Sequence, residues 1–282
     1  MTIEFAKGHG TENDFVVLPD ADGTLDLTAA RVAALCDRRR GLGADGVLRV
    51  VRWAALGQAE PGVEWFMDYR NADGGVAEMC GNGVRVFARY LALRGWVSPA
   101  AETAIGTRAG VRRFRFAGAD GTSGDVSVDM GPARIGPATT ATVAGRAFEG
   151  IAVDVGNPHL ACVTTADVAA LDLAAAPGHD AAVFPHGVNV EFVSPLDDGA
   201  GEVTMRVHER GVGETRACGT GTVAAAVAVL RAAGRTDGEV AVRSPGGRLR
   251  VTVGDGTTLL HGPAVLVAHG VLDRGWWEAA GR

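Results

Sequence analysis

The sequence predicts an α+β chain of two pseudo-symmetric domains, each a curved mixed β-sheet or barrel wrapped around one central helix. Three observations carry that expectation. Short β-branched runs are separated by glycine-rich turns, two longer segments lack internal glycine and proline, and a Cys-Gly-x-Gly word opens both segments, nearly half the 282-residue length apart. Spacing of that kind is the mark of an internal duplication.

Taken in order, the runs 15–18, 46–51, 126–130, 151–155, 188–193, 203–207 and 248–253 read as strands, because alternation and turn punctuation by the 41 glycines favour extended structure. Segments 83–93 and 222–233 are rich in Ala, Leu, Val and Arg and stop at Gly95 and Gly234, so they read as helices with C-terminal glycine. The second, TVAAAVAVLRAA, is apolar on nearly every face and must be enclosed by other structure. A domain boundary falls near 131–136, giving an N-terminal half of 1–130 and a C-terminal half of 131–263. The final run 264–269 lies beyond the second half and is expected, with the tail 264–282, to cross back to the first.

Bulk composition excludes several classes. Hydrophobic residues at 47% and charged residues at 21% describe an ordinary globular chain with material for two cores. A net charge of −6 offers no basic surface for a phosphate backbone, so nucleic acid is not an expected partner. The start MTIEFAKGHG lacks a signal pattern and no apolar run is long enough to span a bilayer, which points to a cytoplasmic protein with no membrane partner. Four cysteines without a C-x-x-C pair are expected to be free thiols. No phosphate loop, dinucleotide fingerprint or metal-ligand cluster occurs, and GLGADG lacks the helix a dinucleotide turn needs, so neither cofactor nor metal is expected.

Cysteine near a helix start is usually packing, and Cys36 and Cys162 are read that way. Cys80 and Cys218 differ, because Gly-x-Gly follows each and lets backbone N–H groups approach an anionic ligand. The positive end of a helix lowers a thiol pKa from about 8.5 and makes a usable base. A thiolate and a thiol suit one reaction in particular: taking the α-proton of an amino acid from one face and returning a proton at the other. Each sulfur would then stand about 3–3.5 Å from the reacting carbon. Donors preorganised at both helix starts would stabilise the developing charge.

Several motifs, in order over nearly the whole chain, resemble diaminopimelate epimerases: GHGTENDFVV, NADGGVAEMCGNGVR, GNPH, NVEF and ERGVGETRACGTG. The resemblance implies a diaminopimelate epimerase-like fold, no cofactor, a homodimer, and stereoinversion of LL-diaminopimelate to the meso form in lysine and peptidoglycan precursor biosynthesis. It implies Cys80 and Cys218 as the catalytic pair, Cys218 taking the proton from the LL substrate. Asn13, Asn71, Asn157, Asn189, Glu209 and Arg210 match substrate-binding positions. Gly81 with Asn82 and Gly219 with Thr220 match the turns that hold the reacting carboxylate, and His159 and Glu209 match positions that tune the thiols. Two departures stand out: Thr11-Glu12 replaces a Leu-Gly type pair, and Gly46 stands where many members carry a side-chain amide.

Each asparagine taken alone is more often a turn former, and His159 could be a strand-start residue satisfied by backbone. His9 and His208 are read as structural, the arginines at 38–40 as a solvated face or helix cap, and Trp276 and Trp277 as packing against the other domain or a second subunit. The rival functions are a proline, hydroxyproline or histidine racemase on the same scaffold, a relative that has lost one cysteine, and a redox or binding protein in which the two thiols form a switchable disulfide.

Overall fold

The computed structural model describes residues 2–118, 120–197 and 201–281. The chain divides into two compact units, 1–128 with 262–282, and 129–261. The first holds β1 (Glu4–Gly10), β2 (Asn13–Pro19), α1 (Ala29–Cys36), β3 (Gly46–Arg52), β4 (Trp65–Asn71), α2 (Gly81–Leu93), β5 (Thr103–Thr107), β6 (Gly110–Phe116) and the start of β7 (Val126–Gly131). The second holds β8 (Arg134–Val143), β9 (Arg146–Asp154), β10 (Pro158–Val163), β11 (Gly178–His179), β12 (Asn189–Val193), β13 (Glu202–Glu209), β14 (Gly213–Thr215), α3 (Gly219–Ala232), β15 (Gly238–Ser244), β16 (Gly247–Gly254) and β17 (Thr257–Gly262). Strand β18 (Val265–Val271) and helix α4 (Arg274–Ala280) return to the first unit.

Each unit is a mixed sheet with the same order of pairing. In the first, β1–β2 is antiparallel, β2–β3 parallel, β3–β4 antiparallel, β4–β5 parallel and β5–β6–β7 antiparallel. In the second, β9–β10 is antiparallel, β10–β12 parallel, β12–β13 antiparallel, β13–β15 parallel and β15–β16–β17 antiparallel. A parallel pair needs a crossover, and in both units the central helix follows the first strand of the second parallel pair. The α+β expectation of sheets around central helices therefore holds. Strand β18 lies antiparallel to β1, with Glu4 opposite Val271.

The helices begin earlier than glycine content suggests. Both start one residue after the cysteine, so the Gly-x-Gly words form the first turn and Cys80 and Cys218 are N-caps. Every residue from Gly81 to Leu91 and from Gly219 to Leu230 is buried. In α3 the enclosing wall takes Ala and Val on all sides; in α2 it must also take Arg85 and Arg89, whose guanidiniums end on backbone carbonyls such as Pro263 and Ala264. Both helices close alike: Trp96 N–H reaches Leu91 O and Arg235 N–H reaches Leu230 O, each at 2.9 Å, around Gly95 and Gly234.

Trp277 corrects an expectation. It is buried among Val32, Leu35 and Leu272 in the core of its own unit, with the Arg31 guanidinium 4.8 Å from its ring. Trp276 caps nearby, its Nε1–H donating to Arg40 O at 3.3 Å. Helix α4 has only seven residues, too short to hold by itself, and docking both tryptophans on α1 supplies its stability. The arginines at 38–40 are exposed after α1, and Arg38 also grips Asp14 and Asp45 at 2.8 Å each. No helix among the described residues is long and apolar enough to cross a membrane.

Candidate active site

In the N-terminal unit, Cys80 has an extended backbone and its Sγ accepts the Gly83 N–H at 3.4 Å, the role a serine plays at an N-cap. The thiol donates to Asn13 Oδ1 at 3.6 Å. Asn82 Nδ2 donates to that same oxygen at 3.3 Å, and Asn13 in turn donates to Asp45 Oδ2 at 2.8 Å. Asn13 is placed by the β1–β2 hairpin, where Gly10 pairs with Asn13 and the two loop residues Thr11 and Glu12 both have positive φ, 52° and 62°. Glu12 N–H meets His9 Nδ1 at 3.3 Å, so His9 serves the turn.

Beneath Cys80 lies Arg85, fully buried. It donates to Thr11 Oγ1 at 3.2 Å, to Pro263 O at 3.2 Å and to Gly81 O at 3.5 Å. Burial brings its pKa down to about 10, and a negative sulfur at Cys80 works against that fall. By reciprocity the guanidinium stabilises a thiolate there. Asn71 ends β4; its backbone closes a turn with Gly74 and Gly75, and its side chain is exposed. A Cβ at Gly46 would stand 2.5 Å from Arg70 O and 2.7 Å from the Tyr69 ring, so this sheet admits no side chain at that position.

In the C-terminal unit, Cys218 is buried and its Sγ accepts Gly221 N–H at 3.4 Å, with Thr220 Oγ1 at 3.5 Å. Asn157 Nδ2 donates to Thr220 Oγ1 at 3.3 Å, His159 Nε2 meets Asn157 Oδ1 at 3.0 Å, and His159 Nδ1 meets Glu191 Oε1 at 2.7 Å. Strands β10 and β12 set these side by side, since His159 registers with Asn189 and Ala161 with Glu191. Asn189 donates to Pro158 O at 3.3 Å and accepts the Arg210 N–H at 2.9 Å. Arg210 is exposed, its guanidinium reaching His186 O at 3.4 Å, and Thr215 Oγ1 donates to Glu209 Oε1. His208 lies in β13, largely buried, outside this chain of contacts.

Here one expectation fails in sign. Burial pushes the Cys218 thiol well above its ordinary value, Glu209 and Glu191 push the same way, and the Thr220 hydroxyl and Gly221 N–H recover only part. Cys36 and Cys162 are buried and pushed up to about 12, chiefly by burial, as packing residues are. None of the four cysteines is in a disulfide. Three participants escape sequence reasoning: Asp45, Arg85 and Glu191. The available signal for Glu191 is a lone carboxylate inside the apolar strand run VNVEFV. Among the described residues, no group of three His, Cys, Asp or Glu side chains could hold a metal ion.

Solved structures share this architecture. A hydroxyproline epimerase from Agrobacterium vitis, with bound trans-4-OH-L-proline, matches with a TM-score of 0.70 at 15% identity, covering 98% of this chain and 94% of that one. A phenazine biosynthesis protein of the PhzF family from Bacillus anthracis matches at 0.69 and 16%, covering 96% and 99%. At such identity the likeness defines a class of fold, the two-unit fold of these racemase-like and PhzF-like proteins. The family model for diaminopimelate epimerase matches residues 5–136 and 151–267. Proteins named diaminopimelate epimerase from Rhodococcus jostii and Mycobacterium avium are 59% and 57% identical, covering 98% and 99% of this chain and 99% and 100% of their own. The chain belongs to the diaminopimelate epimerase family.

Proposed function

We propose that the protein interconverts LL- and meso-diaminopimelate in the cytoplasm, in lysine and peptidoglycan precursor biosynthesis, with Cys218 and Cys80 as the two proton-transfer groups. The observation that carries this reading is that family membership spans nearly the whole chain while both helix-cap cysteines keep the same local geometry. In the LL-to-meso direction Cys218, as thiolate, takes the α-proton; the Cys80 thiol returns a proton on the opposite face and is left as thiolate. In reverse the roles exchange. Two thiols complete this cycle without a cofactor.

The first turns of α2 and α3, with Asn82 and Thr220, offer backbone N–H groups to the reacting carboxylate, where a helix N-terminus favours negative charge. Asn13, Asn71, Asn157, Asn189 and Arg210 bind the amino-acid groups, Arg210 by a fork to the distal carboxylate. Glu209 takes the reacting ammonium. That pairing also explains how a thiol pushed upward by Glu209 becomes a base: a cation beside Glu209 cancels the carboxylate that favours the protonated sulfur. His159 tunes Cys218 through Asn157 and Thr220.

The test is incubation of the purified protein with LL-diaminopimelate in deuterium oxide, without added metal or pyridoxal phosphate, followed by chiral separation. Meso product carrying one deuteron at the inverted carbon is expected. Cys80→Ala and Cys218→Ala should each abolish net inversion while remaining folded. Full turnover by either variant would remove the paired-thiol mechanism, and absence of meso product from the parent would remove the substrate. The family resemblance also supports a homodimer. A groove of about 930 Å³ along β18, where Val265, Val267 and Val271 are exposed, is a surface it could use, and sedimentation velocity tests the stoichiometry.

A further inference from the structure

Glu191 is the least expected side chain of the C-terminal unit. It is wholly buried in β12, and its Oε2 has no hydrogen-bond partner among the described residues. Burial pushes its carboxyl up, an effect that His159 partly offsets. An open carboxylate oxygen in such a place costs stability, about 1–3 kcal/mol or more. Its other oxygen sits so close to the first turn of α3 that a Cβ at Gly221 would lie 2.6 Å from it. The second glycine of the CGTG word therefore leaves room for this carboxyl.

From Oε1 a single file of contacts runs to the sulfur: His159 Nδ1 at 2.7 Å, Asn157 Oδ1 from Nε2 at 3.0 Å, Thr220 Oγ1 from Nδ2 at 3.3 Å, and Cys218 Sγ at 3.5 Å. Each link constrains the next. Asn157 Oδ1 can only accept, so His159 Nε2 must carry a proton. Asn157 Nδ2 then donates to Thr220, whose one hydroxyl proton is left to point at the sulfur. Whether the proton between Nδ1 and Oε1 rests on His159 or Glu191, Nε2 stays protonated. A neutral histidine without this partner could take the other tautomer, and the file could reverse.

We propose that Glu191 is a positioning residue for Cys218: by holding His159 with Nε2 protonated, it fixes the direction of the Glu191–His159–Asn157–Thr220 file so that the Thr220 hydroxyl donates to the sulfur. The thiolate then has two donors, Thr220 and Gly221 N–H. The titratable groups that face this sulfur are Glu191 on β12, Glu209 at the end of β13 and, through the file, His159 on β10. The inference rests on the epimerase reading for its purpose, though its test needs no turnover.

In a Cys80→Ser protein, Cys36 and Cys162 remain protonated thiols, and the pH dependence of iodoacetamide alkylation, with the site read by mass spectrometry, reports Cys218 alone. Two accounts of Glu191 give opposite signs. Glutamine could still donate to His159 Nδ1, so the variant is Glu191→Leu: acting only as a nearby negative charge, its loss would lower the midpoint and speed alkylation; acting through the file, its loss raises the midpoint and slows alkylation roughly tenfold below it. With Thr220→Val already in place the file is cut and only the charge effect remains, so adding Glu191→Leu should then lower the midpoint instead of raising it. A midpoint that falls or stays in Glu191→Leu overturns the proposal. Should that variant not fold by circular dichroism, Thr220→Val and Asn157→Ala, at the other end of the file, decide: both must raise the midpoint, and no change in either overturns it. A parent protein that alkylates as described but makes no meso product would refute the epimerase reading and leave the file intact.

Discussion

A helix start and a buried site pull one sulfur in opposite directions at Cys218. The helix end is worth typically 0.3–1 kcal/mol and up to about 2 kcal/mol, whereas full burial can move a pKa by as much as about 3–5 units, so burial with two adjacent carboxylates prevails. Cys80 has the same cap but a buried guanidinium close by, which makes the two cysteines of the shared Cys-Gly-x-Gly pattern chemically unequal. Glu209→Gln should therefore lower the midpoint of Cys218 alkylation, because it removes a charge that favours the thiol; a higher midpoint would contradict that assignment. Gly46 decides a departure at this same scale. Gly46→Ala must displace both Arg70 O and the Tyr69 ring and should cost about 1–3 kcal/mol in urea unfolding.

Three two-residue hairpin loops show what local chemistry sets and what it does not. Asp255-Gly256 and Ala144-Gly145 have positive φ at both residues, as does Thr11-Glu12. Such turns prefer Asn-Gly or Asp-Gly, so the Asp255 turn agrees with its sequence and the other two do not. Ala144 is exposed and has no compensating contact among the hydrogen bonds described, so Ala144→Asn should raise stability by about 0.5–1 kcal/mol, seen as a higher thermal midpoint. Thr11 is different: it is 3% exposed, its hydroxyl accepts from Arg85, and the turn sets Asn13 against Cys80. Thr11→Gly relieves the backbone yet leaves a buried guanidinium donor unmet, and a net loss in thermal stability is the expected result. The departure at Thr11-Glu12 thus belongs to the cysteine's support.

Over the whole molecule, stability in acid depends on carboxylates held by cations. Burial pushes Asp14 up, but hydrogen bonds from Arg38 and Lys7 outweigh it and bring its pKa down to about 2; Asp68, beside Arg70 and Arg108, is also lowered. A carboxyl depressed in the folded state stabilises it above the unfolded pKa near 4, and that contribution fades as pH falls from there through about 2. Asp14→Asn should flatten the stability profile in that window while lowering the plateau at neutral pH, measured by urea unfolding at a series of pH values. An unchanged profile would show that the Asp14 cluster adds nothing to folding.

The α+β class, the runs that became strands, the two closing glycines and the paired cysteine words were all readable from the chain, because caps, turns and side-chain periodicity act over a few residues and leave their mark in order. Family motifs named the candidate residues in the same linear way. Tertiary structure alone decided that the returning strand β18 takes β1 as its partner, that Trp277 enters its own unit's core, that Arg85 comes close to Cys80, and that Glu191 stands near Cys218. Strand partners and thiol acidity depend on which distant groups arrive and how much water they displace, and desolvation has no local signature in a sequence.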